Sequence, residues 1–208
     1  MVYKQFKVTI LCLSAIVLVS STNLFAEESI ASGKVIFETC KGCHSIKGYQ
    51  STYPSYHVPY LYGQNQTYIT TALRGYRDGA RKHGSMVFNA GSLSDQDIQN
   101  VAVFLSSGNS PASTNPPNNK IASVRGKELY QATCLSCHGE NGVTQMENTP
   151  HLAGQYKDYL RNAIQSYKSG IRNNAIMATF VSQLTDKDIE DISLYLSSLS
   201  GPLTTAPR

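Results

Sequence analysis

The 208-residue sequence is short of long hydrophobic runs. The apolar stretch near its start, Val8 to Val19, covers 12 residues, against the roughly 18 that a membrane-spanning helix needs. With Lys4 and Lys7 before it and a small and polar stretch ending Leu24-Phe25-Ala26 after it, it reads as a secretory signal over residues 1–26, cut after Ala26. Charge of either sign is also scarce. There are 18 Lys and Arg against 14 Asp and Glu, and loss of the leader removes two lysines, leaving a formal +2. The charges are interspersed, so nucleic-acid binding has no support, and contact with a membrane would be peripheral at most. Of five cysteines, Cys12 lies in the leader with more apolar residues after it, which argues against a lipid anchor. No thiol is spare for a disulfide framework. No stretch alternates apolar and polar residues strongly enough to argue for a sheet.

The remaining four cysteines stand in two copies of one pentapeptide, Cys40-Lys41-Gly42-Cys43-His44 and Cys134-Leu135-Ser136-Cys137-His138. CxxCH is the pattern of c-type haem attachment. One helical turn brings both sulfurs together for covalent bonding to the porphyrin edge and projects the next imidazole at the metal. Zinc ribbons also pair CxxC motifs, about 15–20 residues apart, whereas 90 residues separate Cys43 from Cys134. A thioredoxin-like CxxC needs a βαβ surround, and the surroundings read as helical. The sequence therefore implies two covalently bound haem c groups, attached through Cys40, Cys43, Cys134 and Cys137, with His44 and His138 on the irons. Their propionates could turn the holoprotein slightly negative, and the bound haems would supply much of what holds each small domain together.

The motif is part of a longer repeat. Gly33 to Thr39 leads into the first copy as Gly126 to Thr133 leads into the second. Pro59-Tyr60-Leu61-Tyr62-Gly63-Gln64 matches Pro150-His151-Leu152-Ala153-Gly154-Gln155 at an offset of 91, which then holds for Tyr68 and Tyr159, Tyr76 and Tyr167, Arg81 and Arg172, and Met86 and Met177. Ser94 with Asp97, and Thr185 with Asp188, open the final helices as capping boxes. Ile98, Val101, Ala102 and Leu105 then share one apolar face, as do Ile189, Ile192 and Leu196. Between the copies, an uncharged stretch rich in Gly, Ser, Pro and Asn reads as a linker. The expected organisation is all-α: a first domain over 27–108, a linker over 109–120 and a second domain over 121–208.

A histidine-bound haem iron has a sixth position whose occupant separates oxygen chemistry from electron transfer. Met86 follows His44 by 42 residues and Met177 follows His138 by 39. Two methionines at equivalent positions point to axial ligands rather than core filler. Met146 is a rival in the second half but has no counterpart in the first, and His57 is a rival to Met86 that has no histidine counterpart in the second. His83 and His151 are likewise unmatched and are expected near the surface. Thioether ligation favours ferrous iron and raises the potential relative to two imidazoles. Pro59 lies 15 residues after His44 and Pro150 12 after His138. Their carbonyls are candidates to accept the second ring N–H of each histidine, or the prolines shape a turn and nothing more. Arg81 and Arg172, each five residues before a methionine, either pair with haem propionates or lie on a solvated face. The longer first loop begins a run of tyrosines, Tyr49, Tyr53, Tyr56, Tyr60, Tyr62 and Tyr68, expected to pack over the haem edge or to form a docking surface.

These features together resemble the cytochrome c4 family: two CxxCH motifs, a Pro-x-Leu-x-Gly-Gln box in each half, a Tyr-basic-x-Gly-x-Arg segment before each methionine, and a Leu-Ser/Thr-Asp-x-Asp-Ile start to the last helix. The resemblance covers essentially all of the sequence after the leader, with departures concentrated in the first half's tyrosine loop. It implies two class I cytochrome c folds in tandem, facing haems that exchange electrons, and a periplasmic home. It also implies an electron-transfer role rather than an enzymatic one, with redox proteins such as membrane oxidases or dehydrogenase complexes as partners and no small-molecule substrate. A second reading is a tightly bound cytochrome subunit of a periplasmic dehydrogenase, such as a flavin-dependent sulfide dehydrogenase. A haem enzyme would need an open coordination position, against which the paired methionines argue.

Overall fold

The computed structural model describes residues 26–53, 55–108 and 123–207; residues 1–25 of the expected signal and the expected linker over 109–120 lie outside them. The first half contains α1 (26–37), α2 (Lys41–His44), α3 (Gln66–Arg77), α4 (Gly84–Gly91) and α5 (Asp95–Ser106). The second repeats the series as α6 (Val124–Thr133), α7 (Leu135–His138), α8 (Lys157–Lys168), α9 (Ala175–Val181) and α10 (Asp186–Ser198). Among the described residues β pairing is limited to three isolated bridges, so the architecture is all-α. No helix among the described residues is long and apolar enough to cross a membrane.

Each half is built on a crossing between its first and last helices. That crossing is tight because glycine stands at the contact: a Cβ on Gly33 would lie 2.0 Å from the Asn100 carbonyl oxygen, and one on Gly126 would lie 2.0 Å from that of Asp191. The last helices begin where the sequence says they should. Ser94 and Asp97, and Thr185 and Asp188, exchange side-chain and backbone hydrogen bonds as complete capping boxes, satisfying amides that a helix start leaves unpaired. The apolar faces then fill two cores. One gathers Phe37, Ile69, Val101, Phe104 and Leu105, the other Tyr130, Leu160, Ile189, Ile192 and Leu196. Cys40 packs against the first and Cys134 against the second, so each attachment turn is held on its own core.

The halves also pack on each other. Gln64 bonds the main chain of His151, and Gln155 bonds that of Tyr60, in a reciprocal clasp. Beside it the Tyr156 ring is stacked between His57 and Tyr60, with centroids 4.5 and 4.3 Å away. His57 Nδ1 lies 2.7 Å from Asp158 Oδ2. Tyr56 packs against Tyr159, while Tyr53, 92% exposed, stands out in solvent. Much of the first loop's aromatic surface is therefore spent on the other half of the chain.

Candidate haem centres

The CxxCH turns are short helices. In each, the histidine amide bonds back to the carbonyl of the first cysteine, at 3.0 Å in both copies, so the two sulfurs and the imidazole leave one turn. All four cysteines are free of disulfides. Burial pushes the Cys40 thiol up and that of Cys134 up to about 11, which keeps both protonated and disfavours stray thiolate chemistry.

His44 and His138 are buried, and their Nδ1 atoms lie 3.0 Å from the Pro59 oxygen and 3.2 Å from the Pro150 oxygen. A carbonyl oxygen can only accept, so Nδ1 carries the proton and donates, leaving Nε2 with its lone pair for a metal. Burial also depresses both imidazoles, His44 to about 4, and neutral rings are what ligation requires. At His44 the Pro59 carbonyl opposes that shift and His83 adds to it.

Met86 and Met177 each occupy the third position of a short helix, α4 and α9. The preceding caps, His83 and Asn174, share one extended geometry, φ −156° with ψ 113° and 108°. His83 Nδ1 accepts from the Met86 amide at 3.4 Å, and Asn174 Oδ1 from the Met177 amide at 3.0 Å. His83 is thus half-buried at a cap, a role that sequence reasoning missed because a different residue type fills it in the other half. His151 is also half-buried. Its Nδ1 accepts from the Thr144 amide while Gln64 holds its main chain. Met146, 48% exposed, lies at the boundary with its carbonyl facing Asn65. His57 is engaged by Asp158 and Tyr156.

Arg81 and Arg172 are not on a solvated face. They are 9% and 6% exposed and meet main chain to main chain in an antiparallel bridge on the boundary between the halves. Arg81 lies over the rings of Tyr68 and Tyr76, and Arg172 over those of Tyr159 and Tyr167. The Arg81 guanidinium also donates across the boundary to the Tyr167 hydroxyl, at 3.2 Å. The ion pairs among the described residues give neither arginine a carboxylate. Two buried cations held by phenols suit anionic groups supplied from outside the polypeptide. No three His, Cys, Asp or Glu converge as an all-protein metal site among the described residues. The donor set in each half fits a covalently held haem.

Comparison with known proteins points the same way. The family model for cytochrome c matches residues 30–109 and again 123–200. Cytochrome c4 of Pseudomonas aeruginosa is 29% identical over 179 residues, covering 81% of this chain and 88% of that protein. A thiosulfate dehydrogenase electron acceptor of Thiomonas intermedia is 27% identical over 171 residues, covering 77% of this chain and 78% of that one. The solved cytochrome c4 of Acidithiobacillus ferrooxidans superposes with a TM-score of 0.68 at 27% identity, over 78% of this chain and 99% of that chain.

Proposed function

Since this chain belongs to the cytochrome c family, as a tandem electron-transfer protein with one covalently bound haem c in each half, we propose that it works in the periplasm between a respiratory donor complex or dehydrogenase and a terminal oxidase or other acceptor. Haem supplies the chemistry, a one-electron change of iron valence; the polypeptide sets when and how easily that happens. In this reading Cys40 and Cys43 hold one group, and Cys134 and Cys137 the other. His44 with Met86, and His138 with Met177, would hold the irons.

The observation that carries the reading is the matched imidazole geometry. Each histidine is buried, neutral and oriented through Nδ1 by a proline carbonyl, so Nε2 needs no proton movement when the iron changes charge. Methionine as the second ligand would leave no position for substrate or dioxygen and would favour the reduced state. Arg81 and Arg172 would receive the propionates, offsetting charge that burial would otherwise make costly. Reduction can then proceed with little reorganisation of the protein, as repeated single-electron transfer requires.

An absorption spectrum recorded through a redox titration of the purified holoprotein tests this. Two low-spin His/Met sites, two haem adducts by mass and no carbon monoxide binding by the reduced protein are expected. Ready binding of carbon monoxide would overturn the axial assignment. Similarity to a protein named as a thiosulfate dehydrogenase electron acceptor favours a dehydrogenase of inorganic sulfur compounds as one donor. A stable one-to-one complex on purification would identify a dedicated subunit; free protein that several donors reduce would identify a diffusing carrier.

A further inference from the structure

The two halves differ in how the segment carrying the proline carbonyl is secured. In the second half the loop after His138 turns back on itself. The amides of Leu152 and Ala153 donate to the Gly142 oxygen at 2.7 and 3.1 Å, and Gly142 packs against Ala153 and Leu196. Counted from the histidine, Gly142 corresponds to Gly48, and both have left-handed backbones, φ 70° and 75°. Gly48 does not do the same work. Its amide donates to the Tyr156 hydroxyl of the other half at 2.7 Å, and no atom beyond its chain neighbours would meet a Cβ there. The longer first loop pairs with itself through Gln50 and His57 and leans across the boundary, so Tyr62, the counterpart of Ala153, gets no partner from it.

That partner comes from residues 201–207, after α10. The Tyr62 amide donates to the Thr204 oxygen at 3.1 Å, the distance of the Ala153 to Gly142 bond, and the Thr204 amide returns to the Tyr62 oxygen at 2.9 Å. Pro202 lies so close to Gly63 that a Cβ there would stand 2.4 Å from the Pro202 oxygen, on a backbone with φ +85°. Leu203 and Ala206 are each 2% exposed, and Ala206 belongs to the first core. The Ser45 hydroxyl, next to His44, reaches the Pro207 oxygen.

We infer that residues 202–207 are a strap by which the second half completes the first haem domain, with Thr204 positioning the Pro59–Gln64 segment whose carbonyl orients His44. The strap also keeps water from the histidine side of that site, and water stabilises the more highly charged ferric state. Thr204 is a positioning residue: it acts through Tyr62 and Pro59. The redox consequence rests on the haem reading above; the strap itself does not.

Thr204→Pro removes the returning amide from the full-length holoprotein without touching a proposed ligand. With two haem adducts retained, the potential of the first site should fall and that of the second stay in place. Unchanged potentials, or equal shifts at both sites, would overturn the inference. Should the variant fail to fold, hydrogen exchange on the unaltered holoprotein decides: the Tyr62 and Thr204 amides should exchange at least ~100-fold more slowly than unstructured chain. Rapid exchange at Thr204 would refute the strap. Fewer than two haem adducts in the unaltered protein would instead refute the haem reading and leave the exchange result standing.

Discussion

Gln64 and Gln155 occupy equivalent positions in the two halves, and each clasps the main chain of the other half. The Gln64 side chain accepts from the His151 amide at 2.8 Å and donates to the His151 carbonyl at 3.0 Å; Gln155 does both to Tyr60, at 3.0 Å each. Each side-chain oxygen also accepts from the amide that follows it in sequence, Asn65 or Tyr156. Every polar atom of the two amides is therefore used, and the same residue type serves both directions because the boundary is locally symmetric.

Replacing one glutamine by alanine strips partners from an amide and a carbonyl at the boundary. At about 1 kcal/mol net for each of the three bonds lost, the one from the following amide included, Gln155→Ala should cost about 3 kcal/mol, and adding Gln64→Ala about as much again. Chemical denaturation of the holoprotein measures both. A double variant as stable as the parent would show that the clasp contributes nothing.

The proposed ligands predict separate redox effects. Met86→His should keep both haems and lower only the first site's potential; Met177→His should do the same for the second. The fall should be on the order of 0.1 V, within the roughly 0.8 V that axial ligation spans. Potentiometric titration of each variant checks the assignment, and an unchanged curve would exclude that methionine.

The buried arginines should act on both sites. Arg81→Leu removes a positive charge from the boundary and leaves the more highly charged ferric form less disfavoured. A buried charge is only partly screened from its surroundings, so the potential should fall. Arg81→Lys should restore part of the loss. A lysine variant no better than leucine would show that packing on the tyrosines, rather than charge, sets the effect.

The capping boxes predict a pH dependence. Hydrogen bonds from Thr185, first through its side chain and then its backbone, hold the Asp188 carboxyl below the usual carboxylate range. A pKa lower in the folded than in the unfolded state gives stability that is present above about pH 4 and lost as pH falls. Asp188→Asn should flatten that acid limb, and Thr185→Ala should cost about 1 kcal/mol at neutral pH. Thermal melts between pH 3 and pH 7 provide the comparison.

What was legible in the sequence is what neighbours or repetition encode. The capping boxes lie within four residues, the helix faces within a few turns, and the tandem arrangement follows from a shift of 91 positions. The hydrogen bonds from His44 to Pro59 and from His138 to Pro150 join residues that the spacing itself pairs. The burial of Arg81 and Arg172 was not legible, because their main chains pair with each other across the boundary and the Arg81 guanidinium reaches the Tyr167 hydroxyl of the other half. Nor was the equivalence of His83 and Asn174, since an imidazole and an amide, unlike in sequence, supply the same cap acceptor. The pairing of Tyr62 with Thr204 left no mark either: it is made through main-chain atoms, which carry no residue identity.

The bond between Tyr62 and Thr204 also bears on the order of assembly. As the polypeptide emerges, the half made first must wait about 140 further residues for its last backbone partner, while the half made later closes with its own loop. Maturation would then run against the direction of synthesis, the leading half sealing only after its follower has taken shape.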